Sequence, residues 1–170
     1  MRPLEPADTD ALTVLDQAHA VEHGVRSMVS RASVHYFSRS GHSFVAELIT
    51  NDPSSGNGPL GLILAHPVWA GSGAIVRIER LAVAVSSGRV AAVASALTAA
   101  VVKSAYDAGV YRLLAALPES DAVGMDALAA SEFYQEASVV FELTLGSGGL
   151  SGSNPGGSNE RSDDGSRRST

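Results

Sequence analysis

Cysteine is absent from the 170-residue sequence, and lysine occurs only once, at position 103. Without cysteine the chain has no disulfide framework, thiolate nucleophile or thiolate metal site, so cysteine hydrolases, zinc ribbons and iron–sulfur proteins are excluded. Basic residues are also few: 12 Lys and Arg stand against 18 Asp and Glu, for a formal net charge of -6. This balance disfavours binding to a nucleic-acid backbone, which usually needs clustered positive charge.

Long hydrophobic runs are missing as well. The apolar stretch Val90–Val102 has thirteen residues, whereas a membrane-spanning helix needs roughly 20. Met1–Glu5 lacks the apolar segment of a secretory signal. We therefore predict a soluble cytoplasmic protein with no membrane or nucleic-acid partner, either monomeric or homodimeric.

The composition changes abruptly at Gly146. Fourteen of the twenty-five residues 146–170 are Gly or Ser, and Leu150 is the one aliphatic residue among them. Such a segment buries too little apolar surface to offset a backbone entropy cost of about 1–2 kcal/mol per residue. We predict a folded domain over residues 1–145 and a disordered tail over residues 146–170.

Hydrophobic periodicity within residues 1–145 switches repeatedly between helix and strand. It predicts helices from Pro6 to Gly24, from Ser30 to Gly41, from Arg89 to Ala108 and from Asp121 to Ser131, and strands over Arg2–Leu4, His42–Ile49, Leu60–His66, Ala74–Ala84, Val110–Leu117 and Tyr134–Leu145. Pro67 is expected to end the third strand. The order predicts an α/β (α+β) mixed sheet of about six strands, with an antiparallel meander, a βαβ crossover and helices on both faces.

The turn before the longest helix suits an anion. The first N–H groups of a helix lack intrahelical partners and lie at the positive end of its dipole. No acidic residue occurs between Glu79 and Asp107, whereas Arg80, Arg89 and Lys103 do. A buried crossover helix has the same pattern, so the residues alone favour both interpretations about equally.

Three stretches carry a family resemblance: Ile78–Val83, Arg89–Leu97, and Ala108–Gly109 with the strand Tyr111–Leu117. They are similar to the central region of the GNAT superfamily of acyl-CoA-dependent N-acyltransferases, and Arg2–Asp8 resembles the opening of that family. The resemblance covers most of residues 1–145. It implies a GNAT-like fold and the transfer of an acyl group from acetyl-CoA, as co-substrate, to a small-molecule or peptide amine.

Two further stretches, Tyr36–Glu47 and Val102–Tyr111, resemble a small uncharacterised bacterial branch of GNAT-like proteins.

The resemblance also implies a cofactor site. In the family a strand and a loop of the type Arg/Gln-x-x-Gly-x-Gly/Ala open the long helix, and their backbone amides hold the coenzyme A pyrophosphate. Here the corresponding residues are Leu81 and Val83 on the strand and Gly88, Arg89, Val90, Ala91, Ala92, Val93 and Ala94 at the helix start. Ala92 stands where the family usually has glycine, and its methyl group should crowd the cofactor.

Acyl transfer needs a base to remove the proton of the amine. Glu79 is the candidate base, since it resembles an acidic residue on this strand in many family members, and strand alternation predicts that it shares a face with Arg77, Leu81 and Val83. The alternative is an ordinary ion pair of Glu79 with Arg77 or Arg80. His42 and His66, predicted at strand ends, could relay protons at neutral pH or act as surface or capping histidines.

The family commonly has a general-acid tyrosine on the fourth helix, five residues before the phenylalanine of a Gly-Phe pair. Assigning this role to Tyr134 would put the Gly-Phe position at Ser138–Val139, inside the last predicted strand. Aligning Glu132–Phe133 with the pair preserves that strand and puts Leu128 at the tyrosine position. We prefer this second alignment, which leaves no obvious general acid.

A metal site is not expected. His19 and His23 have the i, i+4 spacing of a helical metal pair, but no third ligand accompanies them at a recognisable spacing, so we predict a solvated helix face.

Trp69 is the only tryptophan. It could form a wall of an acceptor pocket, or it could have a purely structural packing role.

Three functions remain open. They are an N-acyltransferase, an acyl-CoA-binding module without efficient catalysis, and a structural or interaction protein on the same fold.

Overall fold

The computed structural model describes residues 1–47, 58–71, 73–85 and 88–137. The chain divides into two compact units, Met1–Gln135 and Glu136–Thr170. All helices and strands described below belong to the first unit. The predicted domain end at residue 145 and the predicted tail lie outside the described residues.

Five strands and four α-helices form the first unit in the described ranges. The strands are β1 (Arg2–Pro3), β2 (Phe44–Glu47), β3 (Pro59–Ala70), β4 (Gly73–Val83) and β5 (Leu113–Ala115), and the helices are α1 (Thr9–His23), α2 (Arg31–Ser38), α3 (Val90–Asp107) and α4 (Ala122–Ala130). A short 3-10 helix over Pro6–Asp8 precedes α1.

The five strands make one mixed sheet in the order β1-β2-β3-β4-β5. The first four pair antiparallel, whereas β4 and β5 pair parallel and are joined through α3. A parallel pair requires such a crossover connection. The predicted mixed sheet with a meander and a βαβ unit is confirmed.

Local signals set the helix ends. The Ser30 side chain accepts the Ser33 N–H at the start of α2, and Gly24 follows α1 with a left-handed φ of 64°. Gly109 follows α3 with a φ of 71°. A non-glycine residue in this conformation costs roughly 1–2 kcal/mol, which explains why glycine ends these helices.

The sheet has a hydrophobic core on each face. One core joins α1 and α2 to the sheet and contains Leu12, Val34, Phe37, Val45, Leu62, Leu64 and Ala82. The other joins α3 and α4 to the opposite face and contains Ile63, Ala65, Val76, Ile78, Leu81, Val93, Leu97, Val101 and Ala127. Helices therefore cover both faces, as predicted.

Helix α3 is long and apolar enough, by length and composition alone, to cross a membrane. Core helices of soluble proteins pass the same test. Val93, Leu97 and Val101 are buried against the sheet. These side chains form an apolar stripe at helical spacing, with Val90 at its half-buried edge.

Strand β3 does not end at Pro67, contrary to prediction, because it pairs through Pro67 with Val76 of β4. The β2–β3 ladder stops at Ile63. Pro67 therefore has no partner in β2, and no β2–β3 hydrogen bond requires the N–H that proline lacks. Proline is tolerated at such an edge position.

The last two predicted strands differ most from the structure in the described residues. Strand β5 covers only Leu113–Ala115; Val110 instead donates its N–H to the Ala105 carbonyl at 2.9 Å and thereby belongs to the C-terminal cap of α3. Residues Tyr134–Ala137 are not in a strand. The remainder of the predicted last strand, residues 138–145, lies outside the described part of the chain.

Candidate active site

The parallel strands β4 and β5 separate halfway along β4. Their ladder ends with the pair Ile78 and Ala115, followed by one bond from the Ala116 N–H to the Ile78 carbonyl at 3.1 Å. Strand β4 continues to Val83. Within the described residues, the β5 side of β4 therefore carries no strand beyond Ile78.

A cleft of about 200 Å³ lies at this separation. We call it the α3–α4 cleft, because it is bordered by the end of β4, the starts of α3 and α4, and the last turns of α1. Its lining includes Leu81, Val83, Val90 and Ala94, together with His19 and Asp121. Four of the predicted cofactor-binding residues thus line one cavity.

The other predicted cofactor residues occupy different positions around the start of α3. Val93 is buried in the core, and a Cβ built on Gly61 would lie 2.9 Å from its Cγ1. The absence of a side chain at Gly61 thus lets α3 pack close to β3. Ala91 and Ala92 are exposed on the outer side of the helix.

The start of α3 is suited to an anion. Gly88 has a φ of 60° and is exposed, and Arg89 is the N-cap residue without a side-chain cap bond. The first intrahelical bond runs from Val93 N–H to the Arg89 carbonyl at 2.9 Å, and the first turn contains no acidic residue. The N–H groups that precede this bond lie at the positive end of the dipole.

Glu79 lies on a β-bulge. Leu64 pairs with Arg80 and Ala65 with Ile78, so Glu79 is the extra residue of β4. The bulge breaks the strand alternation, so the predicted common face of Glu79 with Leu81 and Val83 is wrong. Leu81 packs in the α3 core, whereas Glu79 contacts side chains on the α2 face.

Three side chains form a polar chain on that face, which we call the Tyr36–His66–Glu79 chain. The Tyr36 hydroxyl lies 3.0 Å from His66 Nδ1, and His66 Nε2 lies 3.2 Å from Glu79 Oε1. Arg77 Nε pairs with the same carboxylate oxygen at 2.8 Å. In this arrangement the carboxylate orients the imidazole, and the second ring nitrogen of the imidazole contacts a hydroxyl. Such an arrangement can transfer protons along the chain.

The environment of this chain fixes its geometry. The side chains of His66 and Glu79 are 15% and 20% exposed, and the Phe37 and Tyr36 rings lie edge-on to the imidazole at centroid distances of 5.5 Å. His66 lies inside β3 rather than at a strand end. Sequence reasoning missed Tyr36, because only the packing of α2 over β3 brings it to His66.

His42 has a separate role. It is buried, and its Nδ1 lies 2.9 Å from the Ser104 hydroxyl of α3. Burial lowers the pKa of His42, which favours a neutral imidazole. His42 is therefore a core histidine, not a member of the Tyr36–His66–Glu79 chain.

Arg80 pairs with α1 and not with Glu79. Its Nε lies 3.0 Å from Asp16 Oδ1, with side-chain exposures of 5% and 0%, and its Nη2 donates to the Arg26 carbonyl. Asp16 Oδ2 also accepts the backbone N–H groups of Met28 and Val29. This network anchors α1 and the following loop to the bulge that carries Glu79.

The end of α4 bears on the two tyrosine alignments. Phe133 N–H donates to the Leu128 carbonyl at 3.1 Å and Glu132 N–H to the Ala129 carbonyl at 3.0 Å, the two bonds of a Schellman motif. Glu132, with a φ of 64°, is the one non-glycine residue of the described ranges with positive φ. Glycine is favoured at such a position, which supports aligning Glu132–Phe133 with the Gly-Phe pair.

Under that alignment α4 has no tyrosine to act as the general acid. Leu128 packs against the α3 core at the tyrosine position, and Tyr134 lies beyond the helix with 80% of its surface exposed. Trp69 is 75% exposed near the end of β3. It is not among the residues that line the α3–α4 cleft.

The cleft wall contributed by α1 includes His19. This residue is 6% exposed, so the predicted solvated helix face is wrong at this position. Burial lowers the pKa of His19, and the charge of Arg80 lowers it further.

Residues 2–151 match the family described as "Protein of unknown function (DUF1999)". The chain belongs to this family. Wild-type TTHA1254 from Thermus thermophilus is 33% identical to the DUF1999 chain, over 86% of this chain and 97% of that one, with a TM-score of 0.66. No curated protein sequence matches significantly.

Two acetyltransferases have similar solved structures at lower identity. The aminoglycoside acetyltransferase meta-AAC0020 from an uncultured soil metagenomic sample is 16% identical, over 86% of this chain and 93% of that one, with a TM-score of 0.64. The ribosomal-protein-alanine N-acetyltransferase from Brucella melitensis biovar Abortus 2308 is 12% identical, over 84% and 96%, with a TM-score of 0.59. At these identities the likeness concerns the fold alone. The DUF1999 chain has the GNAT-like fold that its sequence predicted.

Proposed function

We propose that this protein is an N-acyltransferase that moves an acyl group from acetyl-CoA to the amine of a small molecule or peptide by direct attack. The observation that carries the proposal is the position of Glu79. It lies at the first residue beyond the last β4–β5 pair, where the strands separate, and it is hydrogen-bonded to His66. Glu79 therefore holds a carboxylate at the point where, among the described residues, β4 no longer pairs with β5.

The cofactor part of the proposal rests on the α3–α4 cleft. Leu81 and Val83 offer an apolar wall for the acyl-bearing arm of the co-substrate. The pyrophosphate would bind the backbone from Gly88 to Ala94, with Arg89 adding charge, because the first N–H groups of a helix lack intrahelical partners and the first turn of α3 has no acidic residue. Exposure of Ala92 on the outer side of the helix keeps its methyl group out of the cleft lining.

The chain's own groups would handle the proton. Glu79 would remove the proton of the bound ammonium group. His66, a positioning residue that acts through Glu79, would pass this proton towards the Tyr36 hydroxyl. Tyr36 is 56% exposed, so the proton can reach solvent there. Bound acetyl-CoA would supply a thioester, whose carbonyl carbon the neutral amine attacks with release of the CoA thiol. With Leu128 on α4, the departing sulfur would take its proton from solvent.

The proposed chemistry is tested by acetyl-CoA turnover against a panel of small amines and peptides. Glu79→Gln keeps the size of the side chain but removes the base, so turnover should fall about 10²–10⁴-fold. Tyr134→Phe is the matched control and should stay near the unmodified chain. A large fall for Tyr134→Phe with Glu79→Gln unchanged would reverse the assignment.

A second function is favoured by one observation. Under the preferred alignment Leu128, which packs against the α3 core, stands at the position of the family's general acid, and this suits a module that binds acyl-CoA without efficient catalysis. Binding of acetyl-CoA without turnover of any amine would support this alternative.

We also propose that the chain belongs to the small bacterial GNAT-like branch, because Tyr36–Glu47 and Val102–Tyr111 resemble that branch. We further propose that the protein acts in the cytoplasm.

A further inference from the structure

Three potential metal ligands meet at the wall of the α3–α4 cleft. The candidate ligand atoms of His19, His23 and Asp121 all lie within 4.8 Å of one another. His19 and His23 are one turn apart on α1, with ring centroids 4.4 Å apart, and Asp121 is the N-cap residue of α4. The third ligand that the sequence did not reveal therefore comes from a helix about one hundred residues further along the chain.

One of these side chains has an unmet bonding requirement. His19 is 94% buried, since 6% of its surface is exposed, and in the described part of the chain its Nε2 has no hydrogen-bond partner. Native structures rarely leave a buried polar atom without a partner, and each such atom calls for an explanation. A ligand at this atom would provide one.

The other two side chains are held in place by neighbouring groups. Asp121 Oδ1 accepts the Gly124 N–H at 2.8 Å, which fixes the carboxylate at the start of α4. His23 Nδ1 lies 3.1 Å from the Ser120 hydroxyl. Outer contacts of this kind orient metal ligands in known sites.

We propose that His19, His23 and Asp121 bind a divalent transition-metal ion, for which Zn²⁺ is the best match. Two imidazoles and one carboxylate are a ligand set that zinc accepts, with a fourth position left for water or another ligand. All three residues line the cleft, so that fourth position is accessible from it. Tetrahedral ligands about 2.0–2.1 Å from zinc lie roughly 3.3 Å apart, so the cluster closes by at most about 1.5 Å on binding.

The charge of the site matches the ion. Asp121 supplies one negative charge, and the nearby Arg80 charge is already paired with Asp16. The ligands are nitrogen and oxygen atoms, which favours zinc, cobalt or nickel over Mg²⁺, since Mg²⁺ prefers all-oxygen octahedral sites.

The test is calorimetric titration of the full, chelator-treated chain with ZnCl₂, without acetyl-CoA. We expect one zinc per chain, no comparable binding of Mg²⁺, and visible absorption bands with Co²⁺. His23→Asn and Asp121→Asn should each weaken zinc binding by about tenfold or more. Asp121→Asn retains an oxygen that can accept the Gly124 N–H, so the helix cap is kept.

The control is His35→Asn, because His35 lies in the last turn of α2, away from the cleft, and is exposed. This variant should bind zinc like the unmodified chain. Absence of zinc binding to the unmodified chain, or binding that neither His23→Asn nor Asp121→Asn weakens, would overturn the proposal. Neither result depends on acetyl-CoA, so the outcome is separate from that of the acyltransferase proposal.

Discussion

Removal of Asp16 should be among the most destabilising single changes in the folded unit. The Asp16 and Arg80 side chains are 0% and 5% exposed and form an ion pair at 3.0 Å. Asp16→Ala leaves the Arg80 charge buried without its partner, and breaking such a pair typically costs about 3–5 kcal/mol. It also removes the acceptor for the Met28 and Val29 N–H groups. A loss of this size is a large fraction of a domain stability of roughly 5–15 kcal/mol.

Arg80→Met should cost less than Asp16→Ala. After that change Asp16 still accepts three hydrogen bonds, from the Ser27 hydroxyl and from two backbone N–H groups. The asymmetry follows from the structure, because Arg80 without Asp16 keeps only its bond to the Arg26 carbonyl among the contacts described above.

The assay is urea denaturation of the full chain, with the free energy of unfolding and the m-value determined for each variant. The control is Lys103→Met, which breaks an i, i+4 pair with side-chain exposures of 75% and 57%. Exposed pairs of this type contribute about 0.3–0.5 kcal/mol. A loss below about 1 kcal/mol for Asp16→Ala, or a larger loss for Arg80→Met, would refute the reasoning.

Three further predictions concern stability. Glu132→Gly should stabilise the chain by about 1 kcal/mol in urea denaturation, because it relieves a left-handed residue with a φ of 64°; a destabilised variant would contradict the Schellman geometry. Burial lowers the pKa of His42, so His42 is protonated more readily in the unfolded chain than in the folded one. The free energy of unfolding should therefore keep the full contribution of neutral His42 above about pH 6.5 and should fall as the pH decreases. His42→Asn should flatten this fall between about pH 6.5 and 5, and an unchanged slope would count against a buried neutral imidazole. A chain ending at Leu145 should have the same midpoint as the full chain, and a clear decrease would mean that the Gly- and Ser-rich segment is packed.

Local signals carried the sequence prediction of the fold. Ser30 and Asp121 each cap a helix by accepting an N–H three residues on, and Gly24 and Gly109 each follow a helix with a left-handed φ. These effects act within one turn of the chain, so a single sequence contains them. The same reasoning found the crossover helix, because its apolar stripe is continuous.

Features that depend on strand pairing were not predictable. From the sequence alone, Pro67 predicts a strand end. Proline is tolerated inside β3 here because the neighbouring β2 has already stopped, and the length of β2 is not apparent from the residues around Pro67. The bulge at Glu79 depends on a register shift against β3. One extra residue moved Glu79 away from the face of Leu81, and no pattern in β4 alone indicates it.

The candidate site was predicted in part for the same reason. Glu79 and His66 were each recognisable as titratable residues on adjacent strands, but their hydrogen bond requires the register of the hairpin. Tyr36 and Asp121 come from distant helices and carry no local sign of their partners. Distant contacts of this kind are set by tertiary packing.

The central claim, acyl-CoA binding at the start of α3, is tested most directly by calorimetric titration of the full chain with acetyl-CoA and with free CoA. We predict saturable binding of both, and about 5- to 150-fold weaker binding for Arg89→Ala, as expected for a lost charge-assisted contact of roughly 1–3 kcal/mol. Arg31→Ala, at an exposed arginine of α2, should bind like the unmodified chain. No binding of either ligand to the unmodified chain, or equal affinity in Arg89→Ala, would contradict the account.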